Sequence, residues 1–134
     1  MMRLLLDINL LIEEPDFRSL GTSADQIELF TSALCYAELM EGEFAADPAV
    51  AAAAVMQLAR AQARYGDGLP FDADAVTAYR AVCVATRQAG RDLTRARRMD
   101  MMIAATALAH GLTVATRNTS DFAAVVGVVP VVRL

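Results

Sequence analysis

The sequence predicts an α/β fold: a single domain, residues 1–134, with a mostly parallel central sheet of about 4–5 strands flanked by helices. Three observations carry that expectation. Residues 2–6 are apolar toward both faces, as a strand covered by helices on each side must be. Apolar runs of strand length alternate along the chain with stretches of helical character, the pattern that right-handed crossovers between parallel strands produce. The length, 134 residues, is enough to bury a core and too short to divide comfortably into two.

In chain order, residues 2–6 form the first strand, and residues 26–31 the second, alternating apolar and polar. Ser32 is placed to cap a helix over about 33–45, with Gly42 near its end. Asp47-Pro48, a cap followed by proline in the first helical position, opens another helix that runs to about Tyr65 and breaks at Gly66-Asp67-Gly68. Leu69-Pro70-Phe71 reads as a short extended piece, and Asp72 or Asp74 caps a helix to Ala89 that Gly90 stops. After an arginine-rich stretch, residues 99–109 form an apolar helix ended by His110-Gly111. Residues 112–116 are a third strand, 119–125 a short helix, and 128–133 a last strand.

The composition is apolar, 56% hydrophobic with a mean hydropathy of +0.37, yet charged or polar residues interrupt every apolar run before the roughly 18 residues that a membrane helix needs. Arg3 before leucines resembles the start of a signal peptide, but Asp7 ends the apolar stretch early and no small-residue cleavage site follows. The expectation is a soluble, cytoplasmic protein with no membrane partner. Cys35 and Cys83 lie far apart without metal-ligand spacing, and both are expected in the core. All 12 basic residues are arginine, and the 16 acids give a net charge of −4, which argues against nucleic-acid binding by bulk charge alone. Arg87, Arg91, Arg95, Arg97 and Arg98 nevertheless cluster ahead of Asp100, and the planar arginine fork suits phosphate.

Four acids stand in or beside apolar segments: Asp7, Glu38, Asp100 and Asp121, equal in number to the acidic excess. Ionised groups placed there lose hydration, which is costly unless a cation offsets it. The topology sends all four to one edge. Open α/β sheets bind ligands beyond the carboxyl ends of their strands. Asp7 ends the first strand, and Asp121 follows the strand 112–116. Glu38 lies on the helix entered from the second strand, and Asp100 is expected in the first turn of its helix, where the macrodipole favours an anion.

Carboxylate oxygens with water in the remaining positions suit Mg²⁺, with Mn²⁺ as an alternative, rather than zinc. Such ions support phosphodiester hydrolysis by activating water, with no need of a Ser or His nucleophile. Asn9, Thr116 and Asn118 are candidate supporting polar groups, and Arg95, Arg97, Arg98 and Arg117 candidate phosphate contacts.

The segments Leu-Leu-Asp-x-Asn-Leu-Leu-Ile at 5–12, Ala-Glu-Leu-x-x-Gly at 37–42, Leu-Pro-Phe-Asp at 69–72, Asp-x-x-Ile-Ala-Ala-x-Ala at 100–107 and Thr-Arg-Asn-x-x-Asp-Phe at 116–122 resemble the PIN domain. Within that family the chain resembles VapC-type toxins of type II toxin–antitoxin systems. The resemblance implies a PIN-like fold and an Mg²⁺-dependent endoribonuclease with Asp7, Glu38, Asp100 and Asp121 as its catalytic and metal-binding quartet. It also implies a homodimer, an RNA substrate and a cognate VapB-like antitoxin. Ile8 departs from the pattern, because the family commonly has Thr or Ser between the first Asp and Asn. The alternative is a catalytically weak or inactive PIN-like module that binds RNA or a protein partner.

Overall fold

The fold is seen in a computed structural model that describes residues 1–13 and 15–134. Its centre is a four-stranded sheet of β1 (Met2–Leu6), β2 (Ile27–Thr31), β3 (Thr113–Thr116) and β4 (Val131–Arg133), in the order β2-β1-β3-β4. Every pairing is parallel, and Leu6 stands opposite Thr31 on one side and Ala115 on the other. β1 is therefore a central strand; Leu4, Leu5 and Leu6 are fully buried as their apolar run requires, while Arg3 near its start is exposed. Alternation along it divides the core: Leu5 and Val114 face one cluster with Cys35, Val82, Ile103 and Phe122, while Leu4 and Leu6 face another with Leu10 and Ala115. Among the described residues, no helix is long and apolar enough to cross a membrane.

The helices are α1 (Ile8–Ile12), α2 (Ala33–Glu41), α3 (Pro48–Tyr65), α4 (Ala73–Gln88) and α5 (Arg95–His110). The expected caps hold them. Ser32, Asp47 and Asp72 each accept a backbone N–H within the first turn of α2, α3 and α4. Leu69 joins the strand end, its N–H donating to Thr31 O at 2.8 Å while its carbonyl accepts from Ala33 N at 2.9 Å, so the entry to α2 is pinned. Tyr36, Leu39, Leu58 and Ala61 pack α2 against α3, and the Tyr36 hydroxyl donates to Gly66 O at 2.7 Å.

Two expectations are corrected. The helix expected over 99–109 begins four residues earlier, at Arg95, so Asp100 lies beyond the first turn and the macrodipole does not hold it there. The last strand is only Val131–Arg133, because the N–H groups of Val128 and Val129 turn back to Val125 O and Pro130 has no N–H to give. The short helix expected over 119–125 is present with those bounds, as a 3₁₀ helix. Cys35 is fully buried and Cys83 partly so, and both are free thiols.

Candidate active site

Asp7 follows the last residue of β1, and its N–H donates to Ala115 O at 2.9 Å, which fixes it beyond the carboxyl edge next to β3. It is also the N-cap of α1, Oδ1 accepting from Ile8 N at 2.9 Å. Asn9 lies exposed on α1. Thr116, at the end of β3 and fully buried, donates from Oγ1 to Asp7 Oδ2 at 2.9 Å. Both Asp7 oxygens are thus engaged, as a 4% exposed carboxylate requires.

The network continues outward. Thr116 Oγ1 accepts from Asn118 N at 3.1 Å, and Asn118 Nδ2 donates to Asp121 Oδ2 at 3.0 Å. Ser120 Oγ donates to Asn118 Oδ1 at 2.6 Å, orienting the amide so that its NH₂ meets Asp121. Thr116 and Asn118 therefore link two acids; Ser120 was missed, because a serine in a short polar turn has no distinguishing signal in sequence. Asp121 itself is exposed rather than stripped of water, unlike the expectation from its apolar neighbours.

Glu38 on the second turn of α2 and Asp100 on the second turn of α5 complete the group, each half-buried. The face of α5 below Asp100 carries Ile103, Ala104 and Ala107, all fully buried. Burial first, then the charges of Asp7, Asp121 and Glu38, push the Asp100 carboxyl up to about 7. Asp7 is also raised, by burial above all and by Asp121, against the opposing bonds from Ile8 and Thr116. Glu38 is raised by burial, then by Asp7 and Glu41. Asp7, Glu38 and Asp100 are thus all raised, and Asp121 adds its charge to Asp7 and Asp100, a strain that a divalent cation would relieve.

The donor set fits such an ion. Its atoms are hard oxygens, and Mg²⁺ commonly takes one or two carboxylates and keeps several waters. Among the described residues, no three His, Cys, Asp or Glu side chains stand close enough together to hold a metal ion by themselves. The thiol beneath the site is no competitor: Cys35 is buried, its Sγ lies 3.8 Å from Leu6 O, and burial with the Asp7 and Glu38 charges pushes it up to about 12.

The arginines separate into distinct roles. Arg117 pairs with Glu13 at the surface instead of standing free for phosphate. Arg95 and Arg98 are exposed on the first turn of α5. Arg97 and Arg91, the latter outside the predicted set, line a narrow cleft with Asp100 and Asp121.

A PIN domain family model matches residues 4–128. The chain is 39% identical over 131 residues to the VapC ribonuclease Y4jK of Sinorhizobium fredii, covering 90% of this chain and 91% of that protein. Among solved structures it is similar to VapBC-5 of Mycobacterium tuberculosis, a member of the VapBC family of toxin–antitoxin systems. That match has a TM-score of 0.78 at 27% identity, over 100% of this chain and 98% of the other. It is also similar to FitAcB from Neisseria gonorrhoeae, with a TM-score of 0.69 at 27% identity, over 96% of this chain and 95% of that one.

Proposed function

The chain belongs to the PIN-domain family, and from that premise we propose that it is an Mg²⁺-dependent endoribonuclease, the toxin of a VapBC-type toxin–antitoxin pair. The observation that supports this reading is that Asp7, Glu38 and Asp121 lie near enough to Asp100, beyond the carboxyl edge of β1 and β3, for their charges to add to burial in pushing its carboxyl up to about 7. The relative with 39% identity is named as a VapC ribonuclease, which supports RNA as the substrate class.

Asp7, Asp100, Glu38 and Asp121 would hold Mg²⁺ or Mn²⁺. When bound, the ion supplies a water of lowered pKa and offsets charge on the phosphate in the transition state. The protein's own contribution is position. Thr116 and Ile8 N hold Asp7 in one rotamer, Asn118 and Ser120 hold Asp121, and burial against α5 keeps Asp100 in place. The high proton affinity of Asp100 lets it take up a proton near neutral pH whenever the local positive charge departs.

An antitoxin partner of the VapB kind and a second copy of the chain belong to the same reading. The VapBC-5 structure, described as a member of a toxin–antitoxin family, supports the first. So do apolar side chains left in solvent around α1 to α3, including Phe44 at 84%, Val50 and Ile12. Purified protein should cleave RNA with Mg²⁺ or Mn²⁺ and stop in EDTA, and undiminished cleavage by Asp7→Asn or Asp100→Asn would sink the proposal. Growth arrest on expression, relieved by the adjacent open reading frame, tests the partner. The open spread of the carboxylates favours one second reading, an inactive module that binds RNA without turnover in the presence of metal.

A further inference from the structure

The segment between α4 and α5 is built to aim two arginines at the acidic site. α4 ends in a left-handed turn: Gly90 has φ +77°, its N–H donates to Arg87 O at 2.9 Å, and Arg91 N donates to Thr86 O at 3.1 Å. That pair of bonds folds the chain back over the end of α4, so Arg91 returns toward Thr86 instead of running on into solvent. Arg97 sits on the first turn of α5, where Nη1 donates to the backbone carbonyl of Asp92 at 2.8 Å. The carboxylate of Asp92 is engaged elsewhere, by Arg87 at 2.8 Å. Arg97 is therefore oriented by a neutral acceptor and keeps its charge.

Both side chains line the same cleft as Asp100 and Asp121. Among the described residues, neither arginine forms an ion pair with those carboxylates, and the Arg91 side chain has no hydrogen-bond partner. Arg97, half-buried in the first turn of α5, is unfavourably placed for stability alone, since that end of the helix dipole repels cations. The enclosed part of the cleft, about 10 Å³, has room for one water-sized body and none for a nucleobase. A phosphate oxygen is small enough to enter from its open side and is matched in charge to the two arginines.

Resting on the ribonuclease reading above, we propose that Arg91 and Arg97 form a paired phosphate grip that holds the RNA backbone beside Asp100 and Asp121. It contributes register rather than sequence preference, because phosphate contacts position the strand without reading bases. Arg95 and Arg98 lie on the exposed surface of the same turn and serve at most as diffuse positive charge. Gly90 is a positioning residue for Arg91.

The test is fluorescence anisotropy with a short fluorescein-labelled single-stranded RNA in EDTA, so that binding is read without turnover. Arg91→Gln and Arg97→Gln should each weaken binding about tenfold and make the plot of log affinity against log salt shallower by about 0.7 per lost contact. Arg95→Gln should do clearly less, and Arg97→Lys should recover the salt slope but only part of the affinity, since lysine keeps the charge and lacks the fork. Circular dichroism melts check that each variant is folded. Equal losses for Arg95→Gln and the two cleft variants, or an unchanged slope in Arg91→Gln and Arg97→Gln, would overturn the grip. A wild-type chain that shows these binding effects but never cleaves RNA with Mg²⁺ upholds the grip and overturns the nuclease reading instead.

Discussion

Thr116 donates a 2.9 Å hydrogen bond to Asp7 across 109 positions of sequence, and both residues are buried. This bond ties the ends of β1 and β3 together and supplies one of the two donors that Asp7 has inside the protein. Thr116→Val keeps the volume and removes the donor. We expect a stability loss of about 1–2 kcal/mol and a fall in metal affinity and cleavage of about tenfold, the usual cost of losing a group that orients a metal ligand. Thermal melts and calorimetric Mg²⁺ titration check both; unchanged Mg²⁺ affinity would mean that Asp7 needs no such support.

Asp100 makes stability depend on pH in an unusual direction. Its folded value of about 7 lies above the ordinary 3.8, so between those limits the folded chain binds a proton that the unfolded chain has released. Stability is therefore greatest toward the acid end of that window and declines as pH rises through it, levelling above 7. Allowing for solvent screening at this half-buried position, the decline should be about 2 kcal/mol in EDTA. Asp7 and Glu38 shift in the same sense and add to it. Melting temperatures taken from pH 5 to 8 should fall in EDTA and flatten in Mg²⁺. Asp100→Asn should remove most of the slope and be more stable than the parent at pH 8 while losing cleavage.

Gly68 tests how α2 is placed. Its φ is +82°, and a Cβ there would stand 2.8 Å from Ala33 N and 3.1 Å from Ser32 C, at the first turn of the helix that carries Glu38. Gly68→Ala should cost about 2–4 kcal/mol, combining left-handed strain with a backbone clash. Urea unfolding gives the number, and a cost below about 1 kcal/mol, the ordinary mutational effect, would show that the turn yields.

Ile8 gives its backbone to the site and its side chain to packing. The N–H bonds Asp7 Oδ1, whereas the side chain rests against the cluster of Tyr36, Leu39, Leu58 and Ala61. Ile8→Thr should leave cleavage within about threefold of the parent, because no transition-state contact is gained or lost. It should lower stability by about 1 kcal/mol through lost apolar burial. A tenfold rise in cleavage would show that a hydroxyl at this position takes part in the chemistry.

Much of this was legible before any coordinates. The buried strand Leu4 to Leu6, the Asp47-Pro48 start of α3 and the Gly90 stop of α4 are local signals, and each appears where the sequence put it. The acids were found because charge among hydrocarbon is conspicuous, and the parallel topology then brought them to one edge. Other features depend on long-range or neutral contacts. The start of α5 was misplaced because Arg95 to Arg98 interrupt the apolar periodicity, and Thr94 makes no side-chain cap bond that would mark the boundary. The pairing of Arg117 with Glu13, 104 positions apart, and the return of Arg91 over the end of α4 follow from tertiary geometry and have no signature in spacing.

The central place of β1 has a consequence for a chain made from its N-terminus onward. Asp7 is synthesised well before its neighbour Thr116 and its fellow acids Asp100 and Asp121. β1 can pair with β2 early, while its other edge waits for β3. A half-made chain holds Asp7 and Glu38 but lacks the rest of the quartet. On the ribonuclease reading, cutting would begin only once the chain has been made through Asp121 and β3 has joined β1.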